Sequence, residues 1–215
     1  MWYAALILIF LYGDIEAMPR KPSLSNYQEK RDFAITPEPK GKKVSKKSKN
    51  PIFVIHKHDA TSLHYDIRLE IDGVLVFWAV PKGPSLNPTV KHLAVMTEDH
   101  PMEYADFEGV IPEGEYGAGP VMVWDTGIYA NIREKNGKLI PMSTCLKDGH
   151  VKVFFDGKKI KGGFAFIKTQ YQGKDNQWLL VKENDEYASK RKNPVNSQKK
   201  SALTGRTMAQ IKKEG

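Results

Sequence analysis

The chain has 215 residues, 40% hydrophobic and 27% charged, with 33 Lys and Arg against 25 Asp and Glu for a net charge of +8. That length can bury a core, and the single Cys145 excludes an internal disulfide and any multi-cysteine zinc cluster while fitting a reducing compartment. No apolar run reaches the roughly 18 residues of a membrane span, so no membrane partner is expected.

In chain order, Trp2 to Gly13 is apolar but has neither a basic flank nor a small-residue cleavage site, so it does not read as a secretory signal. Met18 opens a more ordinary start, and residues 1–17 read as an upstream start-site artefact or an extension. Residues 19–50 carry ten basic and three acidic side chains, ending in the linker-like Gly41 to Asn50, GKKVSKKSKN. Residues 188–215 carry eight basic and one acidic, whereas residues 51–187 carry fifteen basic and nineteen acidic. An acidic core between two basic arms is expected, with the arms either solvating the protein or holding a polyanion through counterion release.

Strand signals fill the core. Runs occur at Ile52 to His56, Leu63 to Asp72, Val74 to Val80, His92 to Thr97, Val121 to Asp125, Gly127 to Ile132, His150 to Phe155, Gly163 to Thr169 and Trp178 to Lys182. Asp72-Gly73 predicts a tight hairpin, and Asn136-Gly137, Asp156-Gly157 and Gly162-Gly163 mark further turns. The last 28 residues predict a short helix near Thr207 to Lys213 and are otherwise expected to be flexible. Many short strands with few helices predict a mostly β protein, a compact antiparallel barrel of about eight strands with short helices and basic flexible tails. The expected divisions are an extension over 1–26, a barrel domain over 27–187 and a basic tail over 188–215.

In the second run Leu63, Tyr65, Ile67, Leu69 and Ile71 face one way, and His64, Asp66, Arg68, Glu70 and Asp72 the other. A solvated strand face is the bland reading. Yet His64, Asp66 and Arg68 follow one another about 6.6–7 Å apart on that face, and a short loop would bring His58 back beside them. Two imidazoles and a carboxylate suit Mn, Fe or Zn, and Arg68 would hold an anion against the ion. Spacing alone leaves both readings open, and His64-x-Asp66 with a distal His also fits the facial triad of a non-haem iron oxygenase, the runner-up enzyme.

From Glu98 to Glu115 the chain has seven acids and no Lys or Arg, with His100 among them. Those carboxylates predict a raised His100 pKa and a protonated ring able to donate to a phosphoryl oxygen. The glycine-rich EGEYGAG that follows matches no nucleotide-binding fingerprint and reads as turn chemistry. Lys82, at the stiff turn Val80-Pro81-Lys82-Gly83-Pro84, is a candidate phosphate contact.

Taken together, YQEKRDFAITPEP, HKHDATSLHYDIRLEIDGVLVFWAVPKGPS and LAVMTEDHPMEYADFEGVIPEGEYGAGPVMVWDTG resemble the 3′-phosphoesterase domain of bacterial DNA ligase D, from about Tyr27 to Lys182. The resemblance implies an eight-stranded barrel that uses manganese to remove a 3′-terminal ribonucleoside and then the 3′-phosphate during end joining. Co2+ and Zn2+ are the other divalent ions considered. It implies His58, His64 and Asp66 as metal ligands, with Arg68 and His100 on the scissile phosphate. Arg31, Asp32 and Glu38 would complete the site from the N-terminal motif, and Glu98 and Tyr104 from the acidic one. His56 departs from the family pattern, which has glutamine there, and its imidazole would donate to phosphate or compete for metal.

The expected partners are DNA 3′ ends at primer–template junctions, bearing ribonucleotides or a 3′-phosphate, and separate DNA ligase and polymerase proteins. A cytoplasmic, nucleoid-associated monomer is expected. A non-catalytic nucleic-acid-binding module built on the basic arms is the remaining alternative.

Overall fold

A computed structural model describes residues 22–41, 48–170 and 173–214. The extension expected over residues 1–17 lies outside the described residues, as do residues 42–47 of the expected linker.

The described chain begins with a short helix, α1 (Ser25–Glu29), and then enters the strands β1 (Ile52–Asp59), β2 (Leu63–Ile71), β3 (Val74–Val80) and β4 (Lys91–Met96). A 3-10 turn (Met102–Asp106) leads to β5 (Gly109–Ile111) and the long β6 (Gly119–Asn131). A small hairpin of β7 (Glu134–Lys135) and β8 (Lys138–Leu139) precedes α2 (Met142–Lys147). The barrel is completed by β9 (His150–Gly157), β10 (Lys161–Lys168) and β11 (Gln177–Lys182), followed by α3 (Pro194–Ser197) and α4 (Met208–Glu214).

The strands run in the order β1-β2-β3-β4-β11-β10-β9-β6, and β6 pairs back onto β1. This closes an eight-stranded antiparallel barrel, with β5 hydrogen-bonded to β6 beside it. Closure leaves the barrel strands no free edge. The β2–β3 hairpin forms as its sequence requires, with Asp72 at φ 50° and Gly73 at φ 83°, both positive as a two-residue turn of the I′ kind demands.

Two expected strands, Val121 to Asp125 and Gly127 to Ile132, are one. β6 continues through Thr126, and its pairing with β1 slips so that Ile55 opposes Asp125 while His56 opposes Val123. Trp124 is the extra residue of this bulge, and the slip lets the strand bend without stopping.

Tyr65, Ile67, Leu69 and Ile71 fill the barrel interior with Trp78, Trp124, Trp178, Phe155, Phe164 and Phe166. Each such side chain contributes roughly 1.5–3 kcal/mol by leaving water. A second, smaller core lies on the outside of the wall, where Tyr27, Phe33, Tyr104 and Phe107 pack on Val54, Leu75 and Val123. The N-terminal segment and the Met102–Asp106 turn therefore roof the outer face of β1 and β2.

The C-terminal segment departs from the expected flexible tail. Residues 189–211 cross the barrel as a strap, and α4 lies where the short helix was expected. Trp124 Nε1 donates to Gln198 O at 2.6 Å, Ala202 N donates to Val123 O at 2.8 Å, and Ile211 is buried. Its lysine runs conceal widely spaced apolar anchors, which is why composition suggests flexibility. No helix among the described residues is long and apolar enough to cross a membrane.

Candidate active site

Strand register builds the site. In the β1–β2 pair His58 lies opposite His64, His56 opposite Asp66 and Val54 opposite Arg68. These residues point away from the barrel interior, into the space under the N-terminal roof. The polar face of β2 is consequently not solvated: Asp66 and Arg68 are each only 2% exposed. A cavity of about 220 Å³ remains there, lined by the triad, Arg31, Arg68, Glu98, His100 and Tyr104.

His58, His64 and Asp66 offer three ligand atoms within 4.8 Å of one another. Hydrogen bonding sets both imidazole tautomers. His58 Nε2 lies 2.7 Å from Gly117 O and His64 Nδ1 lies 2.7 Å from Ser62 O, so each of these nitrogens must carry the proton it donates to a carbonyl. The lone pairs of His58 Nδ1 and His64 Nε2 then face Asp66, at 3.7 Å and 3.3 Å from its carboxylate oxygens. Asp66 Oδ1 is buried with no hydrogen-bond donor. Two lone pairs and an orphaned carboxylate oxygen fit a divalent cation, with the backbone carbonyls as the outer shell that orients the rings. Burial alone would raise the Asp66 pKa, but the Arg68 guanidinium beside it opposes this and the group lies well below the usual carboxylate range.

Arg68 is clamped from several sides. Its Nη2 donates to Asp66 Oδ2 at 2.9 Å and its Nε donates to His56 Nδ1 at 3.2 Å. The guanidinium lies 4.1 Å from the Phe77 ring centroid and 4.4 Å from that of Tyr104. Nη1 is buried without a partner. A rigid cation with one spare donor in a cavity is an anion-binding group.

Arg31 approaches from the roof. Glu38, buried and accepting from Thr36 Oγ1 at 3.0 Å, also accepts from Arg31 Nε at 3.0 Å. Arg31 Cζ stacks 3.9 Å from the Tyr27 ring centroid, and Nη2 donates to His100 Nε2 at 3.2 Å. His100 Nδ1 in turn donates to Glu98 O at 3.2 Å. This corrects the expectation of a protonated His100. Burial first, then the charges of Arg68 and Arg31, push its pKa well below the ordinary histidine value. The acidic neighbours are largely occupied elsewhere: Glu98 pairs with Lys30 at 3.1 Å and lies 3.6 Å from Arg31 Nη1.

Four sequence candidates stand apart from the cavity lining, one of them Glu38, buried behind Arg31. Asp32 is exposed and its Oδ1 accepts from Ala34 N at 2.9 Å, shaping the turn after Arg31. Lys82 is exposed in a separate cleft with Lys91 and His92. His56 is fully buried beneath Arg68, and burial followed by the Arg68 charge pushes its pKa well below the usual value. In this position it orients Arg68 from behind. Sequence reasoning passed over Tyr27, Phe77 and Tyr116, which frame the two arginines; the aromatic residue inside the glycine-rich EGEYGAG was the available signal for the last.

The model of the DNA ligase D 3′-phosphoesterase domain matches residues 56–168, a stretch that contains the triad, Arg68 and His100. The chain belongs to the DNA ligase D 3′-phosphoesterase domain family. It is 49% identical over 169 residues to the multifunctional non-homologous end joining protein LigD of Pseudomonas aeruginosa, covering 78% of this chain and 19% of that protein. The LigD protein of Mycolicibacterium smegmatis is 41% identical over 183 residues, covering 81% of this chain and 23% of the relative. That of Mycobacterium tuberculosis is 44% identical over 161 residues, covering 75% and 20%. The chain thus spans about a fifth of the length of these curated relatives.

Proposed function

We propose that this phosphoesterase-family chain is a manganese-dependent DNA 3′-end-processing enzyme of end-joining repair. It removes a 3′-terminal ribonucleoside to leave a 3′-phosphate, then hydrolyses that phosphate to a 3′-OH. Separate DNA ligase and polymerase proteins would use the cleaned end, in the cytoplasm where the nucleoid lies. The observation that carries this reading is the adjacency of two features: an N,N,O ligand triad with both tautomers set for metal, and a buried guanidinium with a spare donor, Arg68 Nη1.

A divalent cation held by His58 Nδ1, His64 Nε2 and Asp66 would polarise the phosphate and lower the pKa of an attacking water. Arg68 Nη1 donates to a non-bridging phosphate oxygen, held in place by Asp66, His56 and the flanking Phe77 and Tyr104 rings. Arg31, braced by Glu38 and His100, supplies the second cation. Both charges are fixed before the reaction, so they stabilise the developing phosphorane-like charge without reorganising. In the first reaction water oxygen adds to phosphorus, the bond to the O5′ of the terminal nucleoside breaks, and O5′ leaves with a proton. In the second the bond to O3′ breaks, releasing inorganic phosphate and the 3′-OH.

The oxygenase alternative would consume oxygen with a 2-oxoacid, whose carboxylates the two guanidinium groups would also hold, so the products decide between the two readings. The test is a primer–template ending in a ribonucleotide or in a 3′-phosphate, incubated with and without Mn2+. A 3′-OH product that requires the metal supports the reading. Oxygen uptake, or metal binding with no product on either primer, contradicts it.

A further inference from the structure

The C-terminal strap covers the barrel opening beside the metal ligands. His58 is the last but one residue of β1 and His64 the second of β2, so both stand at the strand ends that border this opening. Tyr65 Oη, one residue on from His64, donates to Val195 O at 3.4 Å, and Ser189 N donates to Leu86 O at 2.8 Å. Lys158 Nζ donates to Ala202 O at 2.7 Å and Lys159 Nζ donates to Lys200 O, so these two cations are spent on holding the strap down. The strap's own Lys190, Arg191, Lys192, Lys199 and Lys200 are exposed along it.

What this surface can hold follows from its composition. Between Tyr187 and Glu214 there are eight Lys and Arg, no Asp or Glu, and no Phe, Trp or Tyr. An ordinary solvated face mixes both signs, as the fifteen basic and nineteen acidic residues of 51–187 do. One sign alone attracts a polyanion. Single-stranded nucleic acid is gripped largely through bases stacked on aromatic rings, which the strap lacks. A duplex hides its base faces and offers about one negative charge per 1.7 Å of its axis. Because the strap backbone is already fixed on the barrel, its cations meet those phosphates at a smaller ordering cost than a flexible tail would.

We infer that the strap seats the duplex behind the 3′ end. Lys190, Arg191, Lys192 and Lys199 take phosphates of the retained double helix above the covered opening, and the terminal nucleotide turns over the rim at His64 into the cavity. This rests on the phosphoesterase reading and deepens it by naming the surface that holds the substrate and the form of DNA it takes. The contact is to backbone alone, so affinity is independent of sequence and falls steeply with salt.

The experiment follows binding of a fluorescent primer–template with a 3′-phosphate to metal-free protein by anisotropy, across about 50–200 mM salt. It compares wild type with the triple variant Lys190→Gln, Arg191→Gln, Lys192→Gln and with Lys199→Gln, each with a urea midpoint as a check on folding. Each lost phosphate contact lowers the log–log salt slope by about 0.9. The triple variant is therefore expected to bind at least about tenfold more weakly at low salt, with a slope smaller by about 2–3, and Lys199→Gln to lose about 1 from the slope. With Mn2+ present, kcat/KM of the triple variant should fall about tenfold further on the primer–template than on a 3′-phosphorylated trinucleotide, which reaches the cavity but brings no duplex. An unchanged salt slope in both variants, or equal losses on the two substrates, overturns the inference while phosphate release by wild type keeps the phosphoesterase reading. A wild-type protein that binds duplex with a slope the variants reduce, yet releases no product with Mn2+, keeps the duplex surface and overturns the phosphoesterase reading instead.

Discussion

His58 donates its Nε2 proton to the carbonyl oxygen of Gly117 across 2.7 Å, and this bond leaves Nδ1 facing Asp66. Gly117 holds φ at +80°, a left-handed conformation that a side chain makes costly by about 1 kcal/mol or more. Relaxing that strain would turn the carbonyl away from His58. Gly117→Ala is expected to keep the barrel, seen as an unchanged far-ultraviolet circular dichroism spectrum, while weakening Mn2+ binding by calorimetry about tenfold or more. An unaltered affinity would show that the carbonyl does not set the ligand.

His100 is neutral in the folded protein, packed against the Tyr27, Phe77 and Tyr104 rings, with the charges of Arg68 and Arg31 opposing its protonation and the Glu98 carbonyl and the Asp66 charge favouring it. Its depressed pKa carries a definite sign. Above about pH 6.5 the ring is neutral both folded and unfolded, and its stability contribution is complete. As pH falls below that value the unfolded chain takes up a proton that the folded one refuses. Stability then declines by at most about 1.4 kcal/mol per pH unit from this group. Urea denaturation at pH 7.5 and pH 5 should therefore show a smaller acid loss for His100→Gln than for wild type. Equal losses would mean that the ring is protonated when folded.

The same residue accepts from Arg31 and so positions it; His100→Ala should retain Mn2+ affinity and lose turnover by up to about a hundredfold, the size of losing Arg31 as one donor aimed at a developing anion. Calorimetry and single-turnover rates separate this from a ligand role. Loss of the metal would place His100 in the coordination sphere.

Glu108 latches the C-terminal strap. Its carboxylate accepts from Val123 N at 3.0 Å and from Arg206 Nη2 at 2.7 Å. Because Arg206 is partly solvated, its share is modest, and Arg206→Met is expected to cost about 1 kcal/mol by urea denaturation. Glu108→Ala also strips Val123 of its acceptor and should cost about 1–3 kcal/mol. A pair of variants with wild-type midpoints would mean that the strap lies loose on the barrel.

The barrel was legible because β2 alternates without a break and Asp72-Gly73 can form only one kind of turn. The triad was legible in part for the same reason: period-two spacing puts His64, Asp66 and Arg68 on one face. What covers that face was not legible, since alternation reports that two sides differ and not what packs on each. The roof depends on Tyr27 and Phe33 meeting Val54 and Leu75, contacts between distant stretches. The His100 pKa was misjudged because sequence neighbours stood in for spatial ones; burial dominates there, followed by Arg68 and Arg31, and neither arginine is near it in the chain. The strap was missed likewise, its latch joining residues 98 positions apart.

The most direct measurement is turnover of a 3′-phosphate primer–template by metal-free protein titrated with Mn2+, beside Mn2+ calorimetry, for wild type and Asp66→Asn. The expected result is no product in chelator and activity that rises with occupancy of the calorimetric site. Asp66→Asn should show neither binding nor turnover over the same range, since replacing the carboxylate removes the one anionic ligand. Phosphate release in chelator, or wild-type turnover by Asp66→Asn, would contradict a metal centre at His58, His64 and Asp66.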